Sequence, residues 1–298
     1  MDGRGALGRP GPHDRSQSVA RHQRPHRHGG GGHGGRLVKR WLALGTACGA
    51  LVALLVFAPA AWLAGAVASA SAGYFVLSDA RGTVWNGSAV LVLTGGEGSR
   101  DASALPGRLH WTVGLDGLAL AVRLQQQCCL TGEQRLRIVP GFGRLRLELL
   151  PSPSGGPFGQ WPAAWLSGLG TPWNTLQLNG ALQLSTPGIV LESASGRWTF
   201  SGRADLELQS LASRISTLDI LGSYRLTLAG DAAQREGTSL LLTTTSGALQ
   251  LNGSGQIAAG RLRFRGQASA APGSEAALNN LLNIIGRRQG AQSVISIG

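Results

Sequence analysis

The sequence predicts a mainly β protein, with one N-terminal transmembrane helix followed by a curled antiparallel β meander and a short C-terminal helix. The first observation is an uncharged, mostly Leu/Ala/Val run over residues 41–62, which follows Arg36, Lys39 and Arg40 and contains a single proline, Pro59. The second is apolar alternation of period two through most of residues 72–298. The third is a closing stripe of Leu278, Leu281, Leu282 and Ile285 at i, i+3, i+4 and i+7. Alternation marks strands with one buried and one wet face, and the stripe marks an amphipathic helix.

Residues 1–40 form a basic His/Arg/Gly-rich tail with nine Arg/Lys against two Asp. Such a composition buries too little to order itself. His22, His26, His28 and His33 lie in it, but no spacing fixes a coordination geometry, so no metal site is expected. A helix of about 20 residues matches a hydrocarbon core of about 30 Å, and residues 41–64 are read as the single span. Trp41 and Trp62 bracket it like interfacial anchors, and the flank of Arg36, Lys39 and Arg40 stays cytoplasmic. The bulk is then delivered to the far side. Ala68-Ser69-Ala70 and Ala70-Ser71-Ala72 would suit signal peptidase, so a cleavable signal is the rival reading. An apolar run longer than the usual ~7–15 residues, behind so long a flank, favours an uncleaved anchor. The pI near 11.4 does not imply nucleic-acid binding, because the excess charge sits in the tail.

Residues 72–298 read as one β-rich domain. Alternating segments fall at residues 83–93, 108–124, 134–150, 176–184, 197–208, 223–229, 239–244, 249–257 and 261–268. Asn86-Gly87, Asn179-Gly180 and Asn252-Gly253 interrupt them. Each pair is either a hairpin turn or a continuous strand whose glycine lets another layer approach. Residues 162–169 offer a short helical turn. The final stripe, after a Ser274 cap and before Gly286, either covers an open end of the sheet or serves as a docking helix, with Arg287 and Arg288 complementing its dipole. Cys128 and Cys129 are adjacent. Neighbours in extended chain point opposite ways, which favours buried thiols or pairing with another molecule over a bond between them. Cys48 reads as a small apolar filler within the span.

Catalytic constellations are missing from this pattern. His110 is the only histidine beyond the tail, and it sits on an alternating strand. No GxSxG elbow, HExxH, Walker loop or paired Cys/His set occurs. Asp205 and Glu207 share a strand face, as solvated edge charges commonly do. Trp85, Trp111 and Trp198 also fall on alternating strands and read as core. An enzyme is not expected, nor is a cofactor.

Three stretches carry a resemblance: Pro59-Ala60-Ala61-Trp62-Leu63, then Gly82-Thr83-Val84-Trp85-Asn86-Gly87-Ser88-Ala89, then Leu105-Pro106-Gly107-Arg108-Leu109-His110-Trp111. Together with residues 218–226, 245–255 and 278–288, they resemble the general secretion pathway protein N family, the N subunit of the type II secretion system. Gly82, Thr83, Trp85, Asn86, Gly87 and Trp111 are the most specific positions. The resemblance implies a single-pass protein of the Gram-negative inner membrane, with its N-terminus cytoplasmic and its bulk periplasmic. It also implies an accessory or assembly role in exporting folded proteins across the outer membrane, with other secretion subunits as partners and no catalytic or cofactor residues. The alternative is a tethered β-groove protein that binds or carries lipid on its leucine face.

Overall fold

The computed structural model describes residues 34–231, 237–258 and 260–298, without the side chains of residues 34–40 and 43. Residues 1–33 of the basic tail lie outside the described residues. The chain divides into a unit ending at Leu51 and a unit running from Val52 to Gly298.

The apolar run forms two helices, α1 (Gly34–Val56) and α2 (Ala60–Ala70). Pro59 explains the break, because it has no N–H to donate to the carbonyl four residues back and it disfavours helical geometry in the residue before it. Trp41 therefore lies on α1 and Trp62 on α2, so they do not bracket one continuous helix. Both are exposed, as are Leu42, Leu44, Leu51, Val52, Leu54, Leu55 and Val56. Among the described residues, no helix is long and apolar enough to cross a membrane.

The second unit is an antiparallel sheet. Its strands are β1 (Phe75–Gly82), β2 (Asn86–Thr94), β3 (Ala102–Ala104), β4 (Leu109–Asp116), β5 (Ala119–Gln125), β6 (Gln134–Gly141), β7 (Arg144–Leu149) and β8 (Gly159–Pro162). They continue as β9 (Leu178–Ala194), β10 (Arg197–Ser213), β11 (Gly222–Gly230), β12 (Thr238–Gly247), β13 (Leu249–Ala258), β14 (Arg261–Ala270), β15 (Arg287–Gln289) and β16 (Gln292–Ile297). The spatial order is β1-β2-β4-β5-β6-β7-β9-β10-β11-β12-β13-β14-β16-β15, with β3 beside β2 and β8 beside β9. Neighbours follow sequence almost throughout, which makes this the expected meander. β1 and β15 stand at its edges. A bulge at Asp79 and Ala80 shifts the register of β1, a common way to blunt an edge.

One face of the sheet is apolar from strand to strand. Registered pairs carry it across: Leu120 with Ile138, Ile138 with Leu147, Leu147 with Leu191, and Leu191 with Phe200. Two helices cover parts of this face. The cluster under α2 contains Ala60, Leu77, Ala89, Trp111 and Val122. A short α3 (Trp173–Leu176) leads into β9, and the other cluster gathers Leu182, Leu211, Tyr224, Leu249 and Ala268 under α4 (Glu275–Ile285), whose Leu278, Leu281 and Leu282 are buried and whose Ile285 is half-buried. The final stripe thus covers the chain's own sheet. Arg287 and Arg288 belong to β15, and Ser293 Oγ donates to the Leu282 carbonyl near the helix end. Ser274 sits at the N-cap but makes no side-chain hydrogen bond there. The Tyr224 hydroxyl donates to the Leu249 carbonyl at 3.0 Å, and burial pushes the phenol pKa up. Tyr224→Phe is expected to cost about 1–3 kcal/mol in urea titration, because it leaves that acceptor unsatisfied.

Asn179-Gly180 and Asn252-Gly253 lie inside β9 and β13, so the continuous-strand reading holds there, whereas Asn86-Gly87 opens β2 directly after the turn that joins it to β1. Phe264 explains Gly253: a Cβ there would sit 2.4 Å from its ring. Asp205 and Glu207 are on β10, an interior strand, and not at an edge. Arg203 pairs with Asp205 at 2.8 Å and Arg225 with Glu207 at 2.6 Å. The Arg203 bond, helped by Thr227, holds the Asp205 carboxyl below its ordinary 3.8. A depressed carboxylate contributes stability above its unfolded value and loses it as pH falls through the folded one. The melting temperature is therefore expected to drop below about pH 4, with a shallower slope in Asp205→Asn.

Cys128 and Cys129 are bonded to each other. Residues 127–129 form a turn instead of extended chain, so the opposite-pointing argument does not hold there.

Candidate functional site

The motif at residues 82–87 forms the turn between β1 and β2, and each of its residues has a definable role. Gly82 has φ +86°, the left-handed region, and a Cβ there would meet the Asn86 carbonyl oxygen at 2.5 Å. Thr83 closes the turn: its N–H donates to the Asn86 carbonyl at 2.9 Å, and its hydroxyl accepts the Asn86 N–H at 3.1 Å. Gly87 leaves room for Trp111, since a Cβ would lie 2.5 Å from Cζ2 of that ring. The Trp111 indole N–H is shared between the carbonyls of Thr83 (3.3 Å) and Val84 (3.1 Å).

This turn holds the junction between α1 and α2. Because Pro59 has no N–H, the Leu55 carbonyl lacks its usual partner four residues on. Ala58 N–H reaches it only at 3.5 Å, and the Trp85 indole supplies the shorter bond, donating to Leu55 O at 2.8 Å. Val84 N–H donates to Ala58 O at 2.9 Å, and Pro59 bridges to Thr83. The Trp85 carbonyl in turn accepts from Val113 N–H at 2.7 Å, which ties the turn to β4. Trp85 is therefore a clamp on the helix end rather than a strand core residue. Trp85→Phe keeps the ring and removes the donor. It is expected to cost about 1 kcal/mol and to speed amide exchange at residues 55–60.

Trp111 is core, as its position on an alternating strand predicts. Trp198 is not: it lies exposed at the start of β10. His110 is exposed on β4. Among the described residues, no group of three or more His, Cys, Asp or Glu could hold a metal ion. A concavity of about 790 Å³ over β12, β13, β14 and β16 is lined by apolar side chains such as Leu241, Phe264 and Ile297 together with Ser254, Arg263 and Arg265, and it gathers no acid–base pair. The signal for the clamp is present in the sequence as Pro59 followed by a tryptophan in a turn, but which carbonyl needs a donor depends on where the helix breaks.

Fold and junction together define a helix-tethered sheet protein: an open antiparallel meander that grips an apolar helix by its last turn. The model of a family described as type II secretion system protein N matches residues 75–297, which include the clamp motif and α4. The chain belongs to that family and is a type II secretion component. No curated protein and no solved structure matches it.

Proposed function

We propose that the chain is an accessory or assembly subunit of the type II secretion system, anchored in the inner membrane by α1. Its basic tail faces the cytoplasm and its sheet unit the periplasm. The observation that carries this reading is the clamp, which braces the end of a helix whose large apolar side chains from Trp41 to Val56 stand exposed. An exposed apolar surface of that extent calls for a non-aqueous neighbour. At about 1.5 Å per residue the 23 residues of α1 are longer than a hydrocarbon core of about 30 Å, but its uncharged stretch from Trp41 to Val56 covers only about 24 Å of it, and Arg36, Lys39 and Arg40 precede that stretch in sequence. Tethering raises the effective concentration of weakly binding partners without any new contact. Those partners are the other inner-membrane and periplasmic secretion subunits. Carbonate washing and spheroplast proteolysis test this: the chain is expected in the carbonate-resistant pellet, with its sheet unit digested from outside. Full release by carbonate would sink the anchored reading.

A second reading, lipid carriage, is favoured by one observation. Leu147, Leu191, Phe200, Leu228, Leu240 and Leu262 lie on the apolar face, belong to neither helix-covered cluster and remain only half-buried. Stoichiometric phospholipid in organic extracts of the purified chain would support it.

A further inference from the structure

In an antiparallel meander every second turn falls at the same end of the sheet. The β1–β2 turn with Trp85 shares its end with the β4–β5, β6–β7 and β9–β10 turns and with the β13–β14 connection. This is the end at which the last turn of α1 is clamped. It also carries a row of large apolar side chains: Leu115 is 79% exposed, Leu118 94% and Trp198 54%, with Phe142 fully exposed at its turn tip. These side chains come from three consecutive hairpins, so they are neighbours along the sheet end and not scattered singly.

Exposed arginines stand at this end as well. Arg144 and Arg197 are both exposed and both register with Ala194, which places them on either side of one small residue. Arg261 begins β14 at the same end. None of the three pairs with a carboxylate among the described residues, whereas Asp116, the acid at the β4–β5 turn, is neutralised by Arg137 at 3.3 Å. Large apolar tips flanked by unpaired guanidiniums are the chemistry of the interface of an anionic bilayer, where rings and leucines enter the acyl boundary and arginines meet phosphates.

We propose that the hairpin tips carrying Leu118, Phe142 and Trp198, with Arg144 and Arg197, form a rim that inserts into the anionic membrane surface at the sheet end that holds the last turn of α1. The proposal rests on the membrane-anchored reading of α1. With the rim seated, the sheet unit stands on the membrane by one end, and the apolar face behind the tips opens toward lipid.

The test uses the full chain reconstituted in phosphatidylglycerol/phosphatidylcholine vesicles. An environment-sensitive fluorophore is attached in turn to native Cys48, and, in a Cys48→Ser background, to Leu118→Cys, Phe142→Cys and Thr217→Cys. Thr217 is exposed at the opposite end of the sheet. The Cys48 and both tip probes are expected to be quenched by brominated lipid, and the Thr217 probe by aqueous iodide alone. Arg144→Glu with Arg197→Glu is expected to reduce tip insertion about fivefold per charge reversed, with circular dichroism unchanged. In pure phosphatidylcholine the tip signal should weaken in the same way. If the Cys48 probe meets brominated lipid while the tips meet only iodide, the rim proposal is overturned and the anchor stands. If Cys48 escapes brominated lipid, the anchor reading fails, and the tip probes still decide the rim. Tips shielded from both quenchers would assign the rim to a protein partner or a second copy and overturn the lipid assignment.

Discussion

Replacing Trp111 by alanine is expected to cost about 3–5 kcal/mol of folding free energy and to loosen the helix junction with it. The side chain is 3% exposed, in a cluster with Ala60, Leu77, Ala89 and Val122. Its indole N–H also serves the carbonyls of Thr83 and Val84, so truncation leaves both a cavity and two unanswered acceptors in the turn that presents Trp85. Urea titration in detergent measures the cost, and amide exchange measures where it falls. Exchange is expected to rise over residues 55–60, 82–94 and 109–124, while α4 and β16 keep their protection, because they belong to the other cluster. A uniform rise would show that the two clusters open together. Gly87→Val approaches the same site from the opposite side. Its Cβ would lie 2.5 Å from Trp111 Cζ2 and 2.7 and 2.8 Å from the carbonyl oxygens of Arg81 and Thr83. Backbone oxygens cannot rotate away, so a loss of about 1–3 kcal/mol or more is expected.

The sheet is legible in the sequence because its signal is local: alternation at residues 176–184 or 249–257 states which face is buried before any partner strand is known. Strand boundaries are less so. Residues 108–124 and 134–150 each read as one segment, and each is a hairpin with a tight turn, at Gly117-Leu118 and Phe142-Gly143. The Asn-Gly pairs show why local turn chemistry is ambiguous. A hairpin and a strand glycine with an aromatic ring over it share the same dipeptide, and only the position of Trp111 or Phe264 on another strand separates them. The long β9 and β10, which run to Ala194 and Ser213, outreach their visible alternation because bulges shift the phase partway. The clamp residues stand out as motif positions, but their role does not. Trp85 reads as strand core, and its function follows from a carbonyl thirty residues earlier whose usual donor four residues on is replaced by Pro59. Trp198 departs from the core reading for a related reason, since alternation gives the face of the sheet and not the distance from its end.

Leu281→Ala is expected to destabilise the chain by about 2–5 kcal/mol, and Leu281→Asp to prevent folding of the α4 region outright. Leu278, Leu281 and Leu282 are 0%, 2% and 1% exposed, packed among Leu249, Ala268 and Tyr224 on the apolar face. Nothing is left for a partner to grip on that side of the helix. Ile284, 48% exposed on the outer side, is the control: Ile284→Ala is expected to change stability by no more than about 0.5 kcal/mol. The pair separates the two uses of an amphipathic C-terminal helix. If Leu281→Ala lowers the urea midpoint while Ile284→Ala leaves both midpoint and co-purification with secretion subunits intact, α4 works as a lid on its own sheet. If Ile284→Ala abolishes co-purification at unchanged stability, the outer face of the same helix is a docking surface, and the buried stripe is what holds that surface in place. Leu281→Ala lowering co-purification without moving the midpoint would contradict the packing, because a side chain buried in this cluster cannot be removed without cost.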